Sequence, residues 1–143
     1  MTGIAGMIDL THQGCADAEL VRRMVGTLRH RGPDGDGFYD SSDIAFGACR
    51  LGIIDLQRSS QPLYNEDHTI ALAFDGEIYN YRELREQLKR RNHVANTDGD
   101  GETIIHLYEE YGLMFFSHLR GMFAFALWDS NTKRLVLAVD PVG

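Results

Sequence analysis

The chain has 143 residues, 43% hydrophobic and 24% charged, a balance that suits one globular domain with its own core. A formal net charge of −7 argues against nucleic acid or an anionic membrane as the main partner. No apolar run approaches the roughly 18 residues that a membrane-spanning helix needs, and the N-terminus lacks a signal-peptide layout. Cys15 and Cys49 stand apart without metal-ligand spacing, so the sequence predicts reduced thiols, no metal site and a cytoplasmic protein.

The first half of the chain is predicted to contain one helix between strands. Residues 3–10 are apolar or small, as in a short buried strand. Asp17 can cap a helix that runs to about Arg29, and its apolar face is expected at Leu20, Met24 and Leu28, with Val21 and Val25 beside it. Residues 34–37 predict a turn, and the strands predicted around and after it are 38–39, 44–49 and 51–56.

The second half is predicted to contain a strand, two helices and a hairpin. The strand covers residues 69–74. Asn80, with Glu83 three residues later, has the pattern of a capping box that opens a helix to about Arg91. A further helix is predicted from about Glu102 to Tyr111, and the hairpin strands are 122–128 and 134–139. Strands in runs with grouped helices favour an α+β fold with antiparallel sheets over a βαβ repeat.

Thr2 is the first candidate for chemistry. It follows Met1, and removal of Met1 would leave a free α-amine beside the Thr2 hydroxyl. Such an amine can act as the local base that makes a weak hydroxyl nucleophilic. If Met1 stays, the amine is an amide and the base is lost.

Five segments combine glycines with polar or reactive groups, and most of them lie at predicted ends of strands or helices, where binding groups are usually displayed. They are TGIAG at 2–6, RHRGPDG at 29–35, RLGIID at 50–55, FDGEIYN at 74–80 and TDGDGE at 97–102. With QPLYN at 61–65 and LRGMFAFALWD at 119–129, this ordered set resembles the N-terminal glutaminase domain of asparagine synthetases, a class II glutamine amidotransferase. The resemblance covers essentially the whole chain.

The resemblance implies the fold of an N-terminal-nucleophile hydrolase, a four-layer αββα sandwich of two antiparallel sheets between helices. It implies that residues 1–143 form a glutamine amidotransferase type-2 domain that is incomplete at its C-terminus, with the synthetase domain absent. It implies hydrolysis of glutamine, with ammonia passing to an ATP-dependent synthetase domain in cis or in trans. No cofactor is expected in this domain, because ATP and magnesium belong to the synthetase domain. A homodimer is left open, and so are an isolated domain, a truncated product or a free-standing relative.

Site residues are carried over from the family motif by motif. The resemblance implies that Thr2 occupies the nucleophile position, where the family has a cysteine. It implies that Gly76 donates its backbone N–H to the oxyanion and that Asp75 stands where the family has an oxyanion-hole asparagine. The residues expected to bind the glutamine α-carboxylate and ammonium are Arg50, Ile53, Glu77 and Asp100.

Two departures from the family pattern fall on the chemistry. The Thr2 hydroxyl is less acidic and less nucleophilic than a thiol at neutral pH. An ionised Asp75 only accepts hydrogen bonds, so it would repel a developing oxyanion, and loss of one oxyanion donor costs about 10²–10³ in rate. Both changes leave Arg50, Glu77 and Asp100 in place, so we expect binding of glutamine with weak or absent turnover.

Structural roles remain open for several of these residues. Arg50 could be a surface strand residue, Glu77 could cap a turn, and Asp100 could be the N-cap of the third helix. The carboxylates of residues 98, 100, 102 and 109 loosely mimic a calcium loop, but Thr103 stands at the required sharp-turn glycine, which argues against calcium. His30 is expected to pack its loop and not to act as a base.

Three functions therefore compete. The first is a glutaminase domain that supplies ammonia and is impaired as written. The second is an inactive glutaminase-like domain that acts as a structural brace or as a glutamine-binding module. In the third, position 2 or 75 was altered to trap substrate.

Overall fold

The strands of the chain pair into two antiparallel sheets, in a computed structural model that describes residues 2–11, 13, 16–50 and 60–142. The first sheet has three strands in the order β1-β3-β2. They are β1 at Gly3–Ile8, β2 at Asp36–Asp40 and β3 at Ile44–Cys49. The second sheet has four strands in the order β4-β5-β6-β7. They are β4 at Leu63–Tyr64, β5 at Ile70–Ile78, β6 at Gly121–Asp129 and β7 at Arg134–Val139.

Within the described residues, three α-helices and one 3-10 helix accompany the sheets. They are α1 at Ala18–Thr27, α2 at Tyr81–Lys89, α3 at Glu102–Tyr111 and the 3-10 helix at Gly112–His118. Asp17 caps α1 as predicted, because its carboxylate accepts a hydrogen bond from the Leu20 N–H at 2.9 Å. None of the helices in the described part of the chain has the length and apolar character that crossing a bilayer requires.

The side chains on the two faces of each sheet belong to three hydrophobic clusters. One lies between the two sheets, and one lies between each sheet and the helices that cover it. Between the sheets, β3 residues Ile44, Phe46 and Ala48 meet Ala71, Ala73 and Trp128 of the second sheet. On the outer face of the first sheet, Val21 and Val25 of α1 pack on Ala45 and Cys49. On the outer face of the second sheet, α2, α3 and the 3-10 helix cover the other residues of β5 and β6. The layer order is therefore helix, sheet, sheet, helix, and the predicted αββα sandwich is confirmed.

Several element boundaries differ from the prediction. Residues 36–37, predicted as turn, begin β2, and β5 continues past Phe74 through Ile78. The strand β4 and the 3-10 helix were not predicted. The buried face of α1 centres on Val21 and Val25, while Met24 is 37% exposed. The strand predicted at 51–56 and the Cys15 thiol lie outside the described residues.

The predicted capping box at Asn80 is wrong. The Asn80 side chain makes no cap bond to α2. Its amide donates to the His118 carbonyl at 2.9 Å, and its side-chain oxygen accepts from the Arg120 N–H at 3.1 Å. Asn80 therefore ties the end of β5 to the segment that enters β6.

Candidate active site

The N-terminus of β1 meets β5 across the interface between the two sheets. The Thr2 backbone N–H donates to Oδ1 of Asp75 at 2.6 Å, although the two residues are 73 positions apart. Thr2 is buried, with 7% of its surface exposed. The predicted nucleophile position and the predicted oxyanion-hole position therefore lie in direct contact.

A guanidinium group also approaches the same carboxylate. Nη2 of Arg31 lies 3.7 Å from Oδ2 of Asp75, and the Asp75 side chain is 20% exposed. The two Asp75 oxygens thus face the Thr2 nitrogen on one side and a guanidinium on the other. Sequence reasoning missed Arg31, which lies in the motif at 29–35 but had no role assigned.

Gly76 has a backbone that only glycine adopts readily. Its φ is +131°, and a Cβ built at this position would lie 2.1 Å from the Met122 carbonyl oxygen on β6. A side chain is excluded here by the neighbouring strand and by the backbone conformation. The sequence motif at 74–80 therefore needs this glycine for geometry, whatever the role of its N–H.

Asp100 is brought to β5 by a backbone hydrogen bond. Its Oδ2 accepts from the Ile78 N–H at 2.6 Å, and Asp100 is 7% exposed. Burial is the main cause that raises the pKa of the Asp100 carboxyl above 3.8, and the nearby Glu77 charge raises it further. The N-cap residue of α3 is Gly101, so Asp100 does not have the N-cap position that was left open.

Glu77 and Asp100 thus form a pair of carboxylates at the end of β5, with Glu77 exposed and Asp100 buried. Two neighbouring carboxylates of this kind can bind an ammonium group, since each ionised oxygen accepts hydrogen bonds and the cation relieves their repulsion. The arrangement is compatible with the ammonium-binding role carried over from the family.

Arg50 follows β3 directly and is half-buried. The register pairs Gly3 with Cys49, so one further step along both strands places Arg50 opposite Thr2. The Arg50 backbone is also held by the 34–35 turn, since its N–H donates to the Gly35 carbonyl at 2.7 Å. Ile53, the other residue expected at the ligand carboxylate, lies outside the described residues.

Gln61 is a supporting residue that the sequence did not reveal. Its side-chain oxygen accepts from the Phe74 N–H at 2.7 Å, and its side-chain amide donates to the Phe74 carbonyl. The Gln61 side chain thereby pairs with both the N–H and the carbonyl of Phe74, the residue that precedes Asp75. His30, by contrast, is exposed, with Nδ1 3.1 Å from the Thr27 carbonyl, and the structure gives it no place at this site.

A second group of ionisable residues lies on α3, and the sequence did not point to it. Glu102 and His106 are both buried, and Nδ1 of His106 lies 3.0 Å from Oε2 of Glu109. Burial works against the charge on both Glu102 and His106. Even so, hydrogen bonding leaves the pKa of Glu102 near 2, and the adjacent carboxylates leave the pKa of His106 near 9.

Comparison with known proteins identifies one family over the whole chain. A family model described as a glutamine amidotransferase domain matches residues 1–143. Asparagine synthetase [glutamine-hydrolyzing] 1 of Bacillus subtilis is 46% identical over 125 residues, which cover 87% of this chain and 20% of that protein. Asparagine synthetase [glutamine-hydrolyzing] 1 of Arabidopsis thaliana is 42% identical over 143 residues, covering 100% of this chain and 24% of that protein. The chain thus spans about a fifth to a quarter of the length of these relatives.

Solved structures support the fold independently. The glutamine phosphoribosylpyrophosphate amidotransferase of Bacillus subtilis superposes with a TM-score of 0.75 over 98% of this chain and 37% of that chain, at 21% identity. At this identity the likeness concerns the fold alone. It confirms the predicted architecture of two antiparallel sheets between helices.

Proposed function

Since the chain belongs to the glutamine amidotransferase domain family, we propose that it is the glutaminase domain of an asparagine-synthetase-type enzyme, with impaired turnover. Its reaction would be hydrolysis of the glutamine side-chain amide, and the ammonia would serve ATP-dependent amide formation in a synthetase domain. The observation that carries this proposal is the contact between the Thr2 nitrogen and Asp75 at 2.6 Å, because it joins the nucleophile position to the oxyanion-hole position.

Each ligand group has a proposed partner at this site. Arg50 would bind the α-carboxylate of glutamine, since a guanidinium fork suits a planar anion, with Ile53 offering backbone atoms. Glu77 and Asp100 would accept hydrogen bonds from the α-ammonium. Gly76 would donate its N–H to the oxyanion that forms when the nucleophile attacks the amide.

Impairment follows from the chemistry of Thr2 and Asp75. After removal of Met1, the Thr2 amine would lie against the Asp75 carboxylate, which favours the protonated ammonium over the neutral amine needed as base. Asp75 also offers the oxyanion no donor when it is ionised. The hydroxyl nucleophile adds a further loss relative to a thiol.

The test is ammonia release from glutamine by the double variant Thr2→Cys with Asp75→Asn, compared with the unaltered chain. We expect the double variant to exceed the unaltered chain by at least about 10²-fold, the worth of one oxyanion donor. Intact mass must first show that Met1 is removed, and adding Arg50→Ala to the double variant should abolish the gain. If a processed double variant releases no more ammonia than the unaltered chain, the site assignment is wrong.

A second candidate function is a glutamine-binding module or structural brace without turnover. The observation that favours it is again Asp75, because a carboxylate at this position opposes catalysis while Arg50, Glu77 and Asp100 can still hold glutamine. Calorimetry with glutamine separates the two roles. A binding module gives heat without ammonia release, and a pure brace gives neither.

A further inference from the structure

Two histidines and a glutamate come together where the loop after α2 packs on α3. One nitrogen of each of the imidazoles of His93 and His106 and one oxygen of Glu109 lie within 4.8 Å of one another. His106 and Glu109 are neighbours on α3, whereas His93 comes from the preceding loop. None of the three belongs to the candidate active site.

The inner atoms of this group have the spacing of a metal site. Oε2 of Glu109 lies 3.0 Å from Nδ1 of His106 and 3.6 Å from Nδ1 of His93. Two ligands bound to zinc at 2.0–2.1 Å in tetrahedral geometry are separated by about 3.3 Å, and the two measured distances bracket that value. The third pair of ligand atoms, one nitrogen from each imidazole, lies within 4.8 Å.

The outer atoms of the same residues face polar side chains of the kind that orient metal ligands. Nε2 of His93 lies 3.2 Å from Glu110, and the free oxygen of Glu109 accepts a hydrogen bond from Asn65 at 2.9 Å. Nε2 of His106 faces Glu102 at 3.6 Å. A carboxylate behind each ligating imidazole fixes the ring and makes it a better donor to the metal.

His106 is the most deeply buried residue of this group. The residue is 2% exposed, and its Nε2, which faces Glu102, has no hydrogen-bond partner among the described residues. His93, His106 and Thr103 line one cavity of about 300 Å³, and within the same described part of the chain the buried Thr103 hydroxyl has no partner either.

We propose that His93, His106 and Glu109 bind a zinc ion that clamps the loop after α2 to α3. Two imidazoles and one carboxylate form a ligand set typical of zinc, and the adjoining cavity leaves room for a fourth ligand such as water. This departs from the expectation drawn from the sequence, which found no metal-ligand spacing.

The experiment is calorimetric titration of the chelator-treated protein with zinc chloride, together with thermal unfolding with and without zinc. We expect one zinc per chain and a higher unfolding temperature in its presence. Co²⁺ in place of zinc should give the visible absorption of a tetrahedral nitrogen and oxygen site. These measurements do not depend on glutaminase activity.

Variants of accessible residues make the test specific. His93→Ala should weaken zinc affinity more than about 100-fold, and Glu110→Gln about 10- to 100-fold as the loss of an outer partner. Circular dichroism checks that each variant is folded, and the exposed His30→Ala is the matched control that should bind zinc normally. Absence of stoichiometric binding, or His93→Ala binding as tightly as His30→Ala, would overturn the proposal.

Discussion

At the scale of single residues, the carboxyl of Asp75 is the group that opposes the proposed oxyanion hole. Its Oδ1 already accepts the Thr2 N–H, and its Oδ2 faces Arg31. An amide at this position would keep one acceptor for Thr2 and gain an N–H donor. Asp75→Asn can therefore add the missing donor without removing the contact that positions Thr2, which is why it belongs in the double variant.

Asp100 is a residue whose substitution should affect glutamine binding and protein stability differently. Its folded-state pKa is raised, so the unfolded chain releases this proton more readily than the folded chain does. The contribution of the Asp100 carboxyl to the free energy of unfolding is most favourable below its ordinary pKa of 3.8. This contribution declines as pH rises through the raised pKa of the folded state. Asp100→Asn should therefore not lower the unfolding temperature at neutral pH, because the amide oxygen can still accept from Ile78.

The same substitution should weaken glutamine binding if the proposed site is correct, since the ammonium would lose one of the two carboxylates that we propose as its acceptors. Thermal unfolding from pH 4 to 8 and calorimetry with glutamine check the two halves of this prediction. The exposed Asp98→Asn is the matched control for the loss of one carboxylate. A marked drop in the unfolding temperature of Asp100→Asn at pH 7 would show that the buried charge stabilises the fold.

At the scale of elements, β5 is the strand on which the site depends. It carries residues 75–77 and pairs with β6 along its whole length, with Gly76 opposite Phe123. Gly76→Ala would force a Cβ against the Met122 carbonyl in a backbone region that only glycine adopts readily. We expect a loss of about 3 kcal/mol or more in the free energy of unfolding, measured by denaturant titration.

Gly26→Ala is the matched control for that experiment. Gly26 lies in α1, and a Cβ built there meets no atom within 4 Å. Alanine should therefore stabilise the protein by about 0.5–1 kcal/mol through its better helix propensity. Equal effects of the two substitutions would contradict the close approach of β5 and β6 at Gly76.

The limits of sequence prediction are also visible in β5. Residues 70–74 alternate well enough to predict a strand, but residues 75–77 are two carboxylates around a glycine and resemble a loop. They remain in the strand because their backbone pairs with β6, a contact between segments far apart in sequence. The helices and the β6–β7 hairpin were predictable because their periodicity and turn residues are local signals.

The candidate site was predictable only as far as its motifs extend. Thr2, Asp75 and Asp100 were named from family resemblance, and the structure places Thr2 against Asp75 and Asp100 at the end of the same strand. The supporting roles of Arg31 and Gln61 depend on contacts across 44 and 13 positions, which no local pattern encodes.

At the scale of the whole molecule, the site exists only while the two sheets stay packed. Thr2 directly precedes β1 of the first sheet, and Asp75 belongs to the second sheet. The hydrogen bond between them therefore depends on the distance between the two sheets. Small residues let the sheets approach: Ala48 on one side faces Ala71 and Ala73 on the other, beside Trp128. All four are buried, and Ala73 lies two positions before Asp75 on the same face of β5.

A larger side chain in this layer should therefore damage stability and the site together. Ala73→Leu adds three carbons to a filled interface, and we expect a loss of about 1–3 kcal/mol in the free energy of unfolding. Fluorescence of Trp128, the one tryptophan of the chain, should change because its packing against the first sheet is altered. The exposed Ala95→Leu adds the same volume outside this layer and should change neither quantity. If Ala73→Leu instead keeps both native stability and native fluorescence, the sheets do not meet through this alanine, and the contact between Thr2 and Asp75 must be positioned by other packing.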